Sequence, residues 1–106
     1  MSGSLAVRRE IVTVCRRLYD RGLIAGPDGN VSVRIAPDRL LVTPAGMSKV
    51  DVEVGDLVEL ALDGRQLRGS RRASSEIAMH LRIYQRRPDV QAVVHAPPPT
   101  ATGFAV

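Results

Sequence analysis

Two apolar runs joined by a proline-containing turn constrain this chain more than any other feature. Between residues 30 and 35, Val31, Val33 and Ile35 alternate with Ser32 and Arg34, the period of a half-buried strand. Ala36-Pro37-Asp38-Arg39 reads as a turn, and Leu40-Leu41-Val42 as a strand returning beside the first. A further strand is predicted over 56–62, where Asp63-Gly64 supplies a tight turn into 66–68. Hairpins in series favour antiparallel pairing over a doubly wound parallel sheet.

Helical periods flank these strands. Val7, Ile11, Val14, Cys15 and Leu18 recur at three- and four-residue spacing, which predicts a helix from a Ser4 cap to about Arg21, with Gly22 at C′. Cys15 falls on the apolar stripe and reads as a small core residue rather than a nucleophile. After the loop Gly26-Pro27-Asp28-Gly29 and the strands, Ser74 is the predicted cap of a second helix. Its stripe is Ile77, Leu81 and Tyr84, and Pro88 ends it. An apolar strand is predicted over 90–94, closing on His95, and after Pro97-Pro98-Pro99 two helical turns over 100–106. No repeat or linker divides the 106 residues, so one domain is expected over 1–106.

Charge says little about partners. Fifteen basic against eleven acidic residues leave +4, almost wholly from arginine, since Lys49 is the single lysine. The arginines come in scattered pairs, and Tyr19, Tyr84 and Phe104 are the only aromatics. A nucleic-acid reader needs a basic strip interleaved with stacking rings, so no nucleic-acid partner is expected. No apolar run approaches the roughly 18 residues that span a bilayer, and no membrane partner is expected either. One cysteine forms no internal disulfide, which favours a reducing, cytoplasmic setting.

Chemistry concentrates in three loops. Gly29-Asn30, Thr43 to Gly46, and Ser74-Ser75 combine glycine with hydroxyl and amide side chains, the materials of an anion nest. The third opens a helix, whose free amides suit a phosphate. Glu76 and His80 stand four apart and His95 closes a strand, donors fit for zinc or for acid–base work. Taken singly, the same residues also read as ordinary turns, a surface pair and a strand-end histidine.

Together they resemble one family. Gly29-Asn30-Val31-Ser32-Val33-Arg34, the run from Val42 to Lys49, Ser74-Ser75-Glu76, Met79-His80-Leu81, and Arg87-Pro88-Asp89-Val90 leading to His95 follow the order and spacing of the class II aldolase/adducin family. The resemblance implies an α/β fold, three layers α/β/α around a central, mainly antiparallel sheet, here apparently truncated after its N-terminal part. It implies a zinc-dependent sugar-phosphate aldolase of the L-fuculose-phosphate aldolase type, which cleaves a ketose phosphate to dihydroxyacetone phosphate and an aldehyde. Epimerase and dehydratase chemistry also occur in such a family. By the same resemblance Gly29, Asn30, Ala45, Gly46, Ser74 and Ser75 bind the substrate phosphate. Glu76 is the acid/base and can touch the metal, His95 is a zinc ligand, and His80 supports its helix. The partner is a small phosphorylated sugar, and the assembly a homo-oligomer. Where the family pattern places a second histidine, position 97 is Pro97, with neither ligand atom nor amide proton. That departure carries the alternative expectation of a non-catalytic, adducin-like scaffold.

Overall fold

The computed structural model describes residues 2–24 and 28–96. Pro97 and the helix expected over 100–106 lie outside the described residues, as do positions 25–27 of the first loop. Five strands form one sheet in the order β4-β3-β2-β1-β5. They are β1 (Asn30–Ala36), β2 (Arg39–Val42), β3 (Val58–Ala61), β4 (Gln66–Arg68) and β5 (Ala92–His95). Every neighbouring pair is antiparallel, as the serial hairpins predict. Helix α1 (Ser2–Asp20) and helix α2 (Ile77–Arg86) are the α-helices of the described residues, with a 3-10 turn at Val54–Asp56.

The two helices cover opposite faces of the sheet, which gives the expected three layers. Ile11, Val12 and Cys15 of α1 pack on Val31 and Leu41, joined by Val52 and Leu57. On the other face Tyr84 of α2 packs on Leu40, Val42, Val58 and Leu60, with Ile77 and Leu81 beside it. Leu40 and Leu41 thus serve different cores, as alternate strand residues must. Fully burying such aliphatic chains contributes roughly 1.5–3 kcal/mol apiece relative to exposure. Cys15 is wholly buried, and burial pushes its thiol up to about 11, so it remains a protonated core residue.

Several expected boundaries shift for identifiable reasons. Helix α1 already runs from Ser2, so Ser4 lies inside it instead of capping it. At its far end the amides of Gly22 and Leu23 donate to the carbonyls of Tyr19 and Leu18, the paired bonds that close a helix with Gly22 at C′. Strand β3 begins at Val58, because the 3-10 turn before it is closed by reciprocal bonds between Glu53 and Asp56. Strand β5 begins at Ala92, because the Val90 amide is turned back onto the Arg87 carbonyl.

Strand β1 departs most from its pattern. Its alternation predicts a polar face in water, yet Ser32 is fully buried. The Arg34 guanidinium lies 5.0 Å from the centre of the Tyr84 ring and donates to the carbonyls of Val90, Pro37 and Tyr84. Helix α2 therefore covers a polar strand face, and hydrogen bonds satisfy what it buries. The arginine pairs stay dispersed: Arg16 meets Glu53, Arg71 meets Asp56 and Arg87 meets Asp89.

One residue stitches the loops together. Thr43 is fully buried; its Oγ1 accepts from the Val31 amide at 3.1 Å, and its own amide donates to the Val31 carbonyl. The Thr43 carbonyl then accepts from the Ser74 amide at 3.2 Å. Thr43→Val removes the hydroxyl and leaves the buried Val31 amide unpaired, a loss of about 1–3 kcal/mol. Urea unfolding is expected to show a lower midpoint at unchanged slope, with Thr43→Ser close to the parent.

Candidate active site

Three segments distant in sequence meet at one end of the sheet. Thr43 draws the loop after β2 against both the start of β1 and the segment before α2, and an isolated bridge pairs Pro44 with Ala73. The result is a cleft of about 270 Å³ lined by Gly29, Asn30, Ala45, Gly46, Ser74, Ser75 and Glu76 together with Asp28 and Pro44. All six residues expected at a phosphate, and the expected acid/base, face this single space.

Local geometry sets what each can offer. The Ala45 amide is spent on the Arg72 carbonyl at 2.8 Å, and the Ser74 and Glu76 amides are bonded to Thr43 and to Ser74 Oγ. The Ser74 hydroxyl thus bridges to Glu76 two residues on, and α2 opens at Ile77 with Glu76 in the N-cap place and no side-chain cap. Among the described residues, the amides of Gly29, Gly46 and Ser75 carry no such bond. Those amides and the serine hydroxyls are the cleft's available donors. Among the described residues no arginine or lysine lines it, so an anion here is met by dipoles.

Gly29 is required by its surroundings. Its φ is +80°, and a Cβ would sit 2.8 Å from the His95 carbonyl oxygen and 2.9 Å from Ile24. Gly46 has a similar φ, +68°, but open space around it. The contrast separates conformational strain, common to both, from backbone collision, found only at Gly29.

Behind the cleft runs a chain of side-chain bonds. Asn30 Nδ2 donates to Glu76 Oε2 at 3.4 Å, and Asn30 Oδ1 meets His80 Nε2. His80 Nδ1 lies 2.6 Å from Ser32 Oγ, which lies 2.8 Å from the Tyr84 hydroxyl. Glu76 and His80, four apart in sequence, are linked through Asn30. His80 is fully buried; desolvation, and then the nearby His95, push its pKa down to about 4 against the pull of Glu76. It is neutral at pH 7.

His95 ends β5 directly opposite Asn30 in the β1–β5 ladder. Its Nδ1 lies 2.8 Å from Glu76 Oε2, yet the two are not aligned as a hydrogen bond, and among the described residues the buried Nδ1 has no other partner. A zinc ion would take His95 and Glu76 from this chain. That is fewer than the three protein ligands a catalytic zinc needs, and among the described residues no three metal-binding side chains come together. The residues present do not make a complete site.

The role of Asn30 and His80 as linked partners was not predicted from the sequence. Its one signal was the buried period shared by His80 and Tyr84, four apart on α2. Among the described residues no helix is long and apolar enough to cross a membrane.

Two outcomes are expected. Gly29→Ala lowers stability by more than the roughly 1 kcal/mol of lost glycine freedom, whereas Gly46→Ala costs about that amount alone; urea midpoints compare them. Stability also depends on pH through His80. Between pH 6.5 and about 4 the unfolded chain binds a proton there that the folded protein refuses. Stability is therefore full above pH 6.5 and falls by on the order of 3 kcal/mol as pH drops through that window. The lowered carboxyl pKa values of Asp56, Asp63 and Asp89 act only below 3.8. Unfolding curves from pH 7.5 to 4.5 measure the slope, which His80→Gln flattens.

Comparison with known proteins places this arrangement. The family model described as the class II aldolase and adducin N-terminal domain matches residues 9–106. The chain is 42% identical over 106 residues to a 5-methylthioribulose-1-phosphate/5-deoxyribulose-1-phosphate aldolase of Rhodospirillum rubrum, covering 99% of this chain and 47% of that protein. It is 36% identical over 88 residues to an L-fuculose phosphate aldolase of Methanocaldococcus jannaschii, covering 83% and 47%. The crystal structure of YgbL from Escherichia coli superposes with a TM-score of 0.88 at 28% identity, over 96% of this chain and 49% of that one. The chain thus spans about half the length of the curated relatives it matches. With nearly all of its sequence matched and its fold shared, it belongs to the class II aldolase and adducin family.

Proposed function

We propose that this chain supplies the phosphate-anchoring and acid/base part of a class II sugar-phosphate aldolase of the L-fuculose-phosphate aldolase type. The reaction is retro-aldol cleavage of a ketose phosphate to dihydroxyacetone phosphate and an aldehyde. One observation carries the reading: a single cleft gathers the free amides of Gly29, Gly46 and Ser75 and the hydroxyls of Ser74 and Ser75 beside the Glu76 carboxylate. The first group suits a phosphate and the second a proton transfer.

In this reading the phosphate end of the sugar is held by neutral donors, and its binding energy orients the reacting carbons. The carboxylate of Glu76, half-exposed on the cleft side, exchanges a proton at Oε2 with the carbon next to the carbonyl. Asn30 steadies that oxygen from behind. Zinc, when bound, supplies electrophilic catalysis, and the proposal requires ligands from outside the described residues to complete His95 and Glu76. Epimerase or dehydratase chemistry would use the same anchor and the same carboxylate. A homo-oligomer belongs to the same proposal, and the half-exposed Val94 on edge strand β5 offers a neighbour apolar surface.

Pro97 and the two-donor metal set favour a second reading, a non-catalytic adducin-like scaffold. Titration of the purified chain with dihydroxyacetone phosphate, followed by a cleavage assay of the complete gene product on ketose 1-phosphates with and without Zn²⁺, separates them. The first reading expects saturable binding that Ser75→Asp weakens at least about tenfold, since it places a like charge at the anion, and aldehyde release that Glu76→Gln abolishes. Binding without turnover supports the scaffold. No binding of any phosphate ester overturns the reading of the cleft.

A further inference from the structure

We propose that His80 is a positioning residue, which acts through Asn30 to fix the Glu76 carboxylate and to hold the Gly29-Asn30 turn against Ser74 and Ser75. The inference rests on the reading of Glu76 as the acid/base group, and it adds a residue that touches no substrate.

The argument is one of donor and acceptor polarity. Glu76 as a carboxylate only accepts, so the Asn30 atom 3.4 Å from it must be the donating Nδ2. Asn30 Oδ1 then turns to His80 and needs a donor there, which places the proton of the neutral ring on Nε2. His80 Nδ1 is left as an acceptor and takes the Ser32 hydroxyl proton at 2.6 Å. Ser32 Oγ in turn accepts from Tyr84 at 2.8 Å, whose phenol stays protonated because burial pushes its pKa up. Every donor along Tyr84, Ser32, His80 and Asn30 points toward Glu76.

Reversing any member breaks the chain. A flipped Asn30 amide would set Oδ1 against the carboxylate and Nδ2 against the Nε2 proton. A ring protonated on Nδ1 would force that flip. The imidazole contacts residues 30 and 32, two apart and on the same face of β1, so it braces the strand at the point where it enters the cleft. Tyr84, Ser32, His80 and Asn30 are all buried, whereas Glu76 is exposed; the chain ties a rim carboxylate to the core. Without it the Glu76 carboxylate keeps only the His95 contact and is less restrained from turning onto the cleft's own amides, where it would compete with a phosphate.

The test combines nitrogen NMR of the His80 ring with titration of inorganic phosphate. Expected is a neutral ring with its proton on Nε2 at pH 7 and at pH 5.5. Expected also is a phosphate affinity about tenfold weaker in His80→Phe, as the less restrained Glu76 carboxylate competes for the cleft's donors. His80→Gln, which keeps a donor and an acceptor, stays within about threefold of the parent. In an Asn30→Ala background His80→Phe makes no further difference, because its route to the cleft is gone. Should His80→Phe fail to fold, Ser32→Ala, which strips the partner from Nδ1, enters the same cycle with the same expectation. Equal losses in both backgrounds, a proton on Nδ1, or no rescue by glutamine overturn the proposal. If the parent binds no phosphate, the reading of the cleft falls by itself, while the ring's tautomer still decides the positioning role.

Discussion

Burying a histidine between a sheet and a helix forfeits its charged form, and the protein accepts that cost at His80. The imidazole lies under α2 with both nitrogens bonded to β1. A leucine of similar size would fill the same space no worse, but it would leave Ser32 and Asn30 with unpaired polar groups in a dry interior. The polar stripe of β1 and the histidine of α2 therefore require one another. Their match fixes how far along the sheet α2 sits, and with it the place of Ser74, Ser75 and Glu76 just before the helix.

The cleft inherits its shape from that docking and from Thr43. Three loops far apart in sequence converge because Thr43 bonds to both Val31 and Ser74. None contributes a cationic side chain to the cleft. Peptide dipoles and hydroxyls act over short range and only in fixed orientation, so such a site depends on rigidity more than a lysine-lined one would. Buried backbone stitches behind the loops meet that demand.

Strand period, helix stripe and turn chemistry were legible because each is written in neighbouring residues. The alternation of Val31, Val33 and Ile35 gave β1, Gly22 gave the end of α1, and Asp63-Gly64 gave the β3–β4 turn. What lay across the sheet was not. Ser32 and Arg34 read as solvated because a single strand cannot show that a helix from much later in the chain will cover them. Ser74 read as a helix cap because its hydroxyl does accept an amide, though from Glu76 before the helix begins. The loops that form the cleft stood out by composition and family resemblance, whereas their bracing by Thr43 and His80 is a long-range property. Such pairings are fixed by tertiary packing, and beyond the shared period of His80 and Tyr84 on α2 the sequence carries no signal for them.

Glu76 stands between two unlike partners, and the β1–β5 ladder sets both. Asn30 and His95 face each other across that ladder, and both reach Glu76 Oε2, at 3.4 Å and 2.8 Å. From the inner strand comes a satisfied amide, held on its other side by His80. From the edge strand comes the His95 ring, whose Nδ1 stands within ion-pair distance of the carboxylate without the alignment of a hydrogen bond. Both strands thus restrain the carboxylate, β1 through an amide and β5 through a ring. A carboxylate met at one oxygen from both strands keeps its position while half-exposed to the cleft, an arrangement suited to proton exchange.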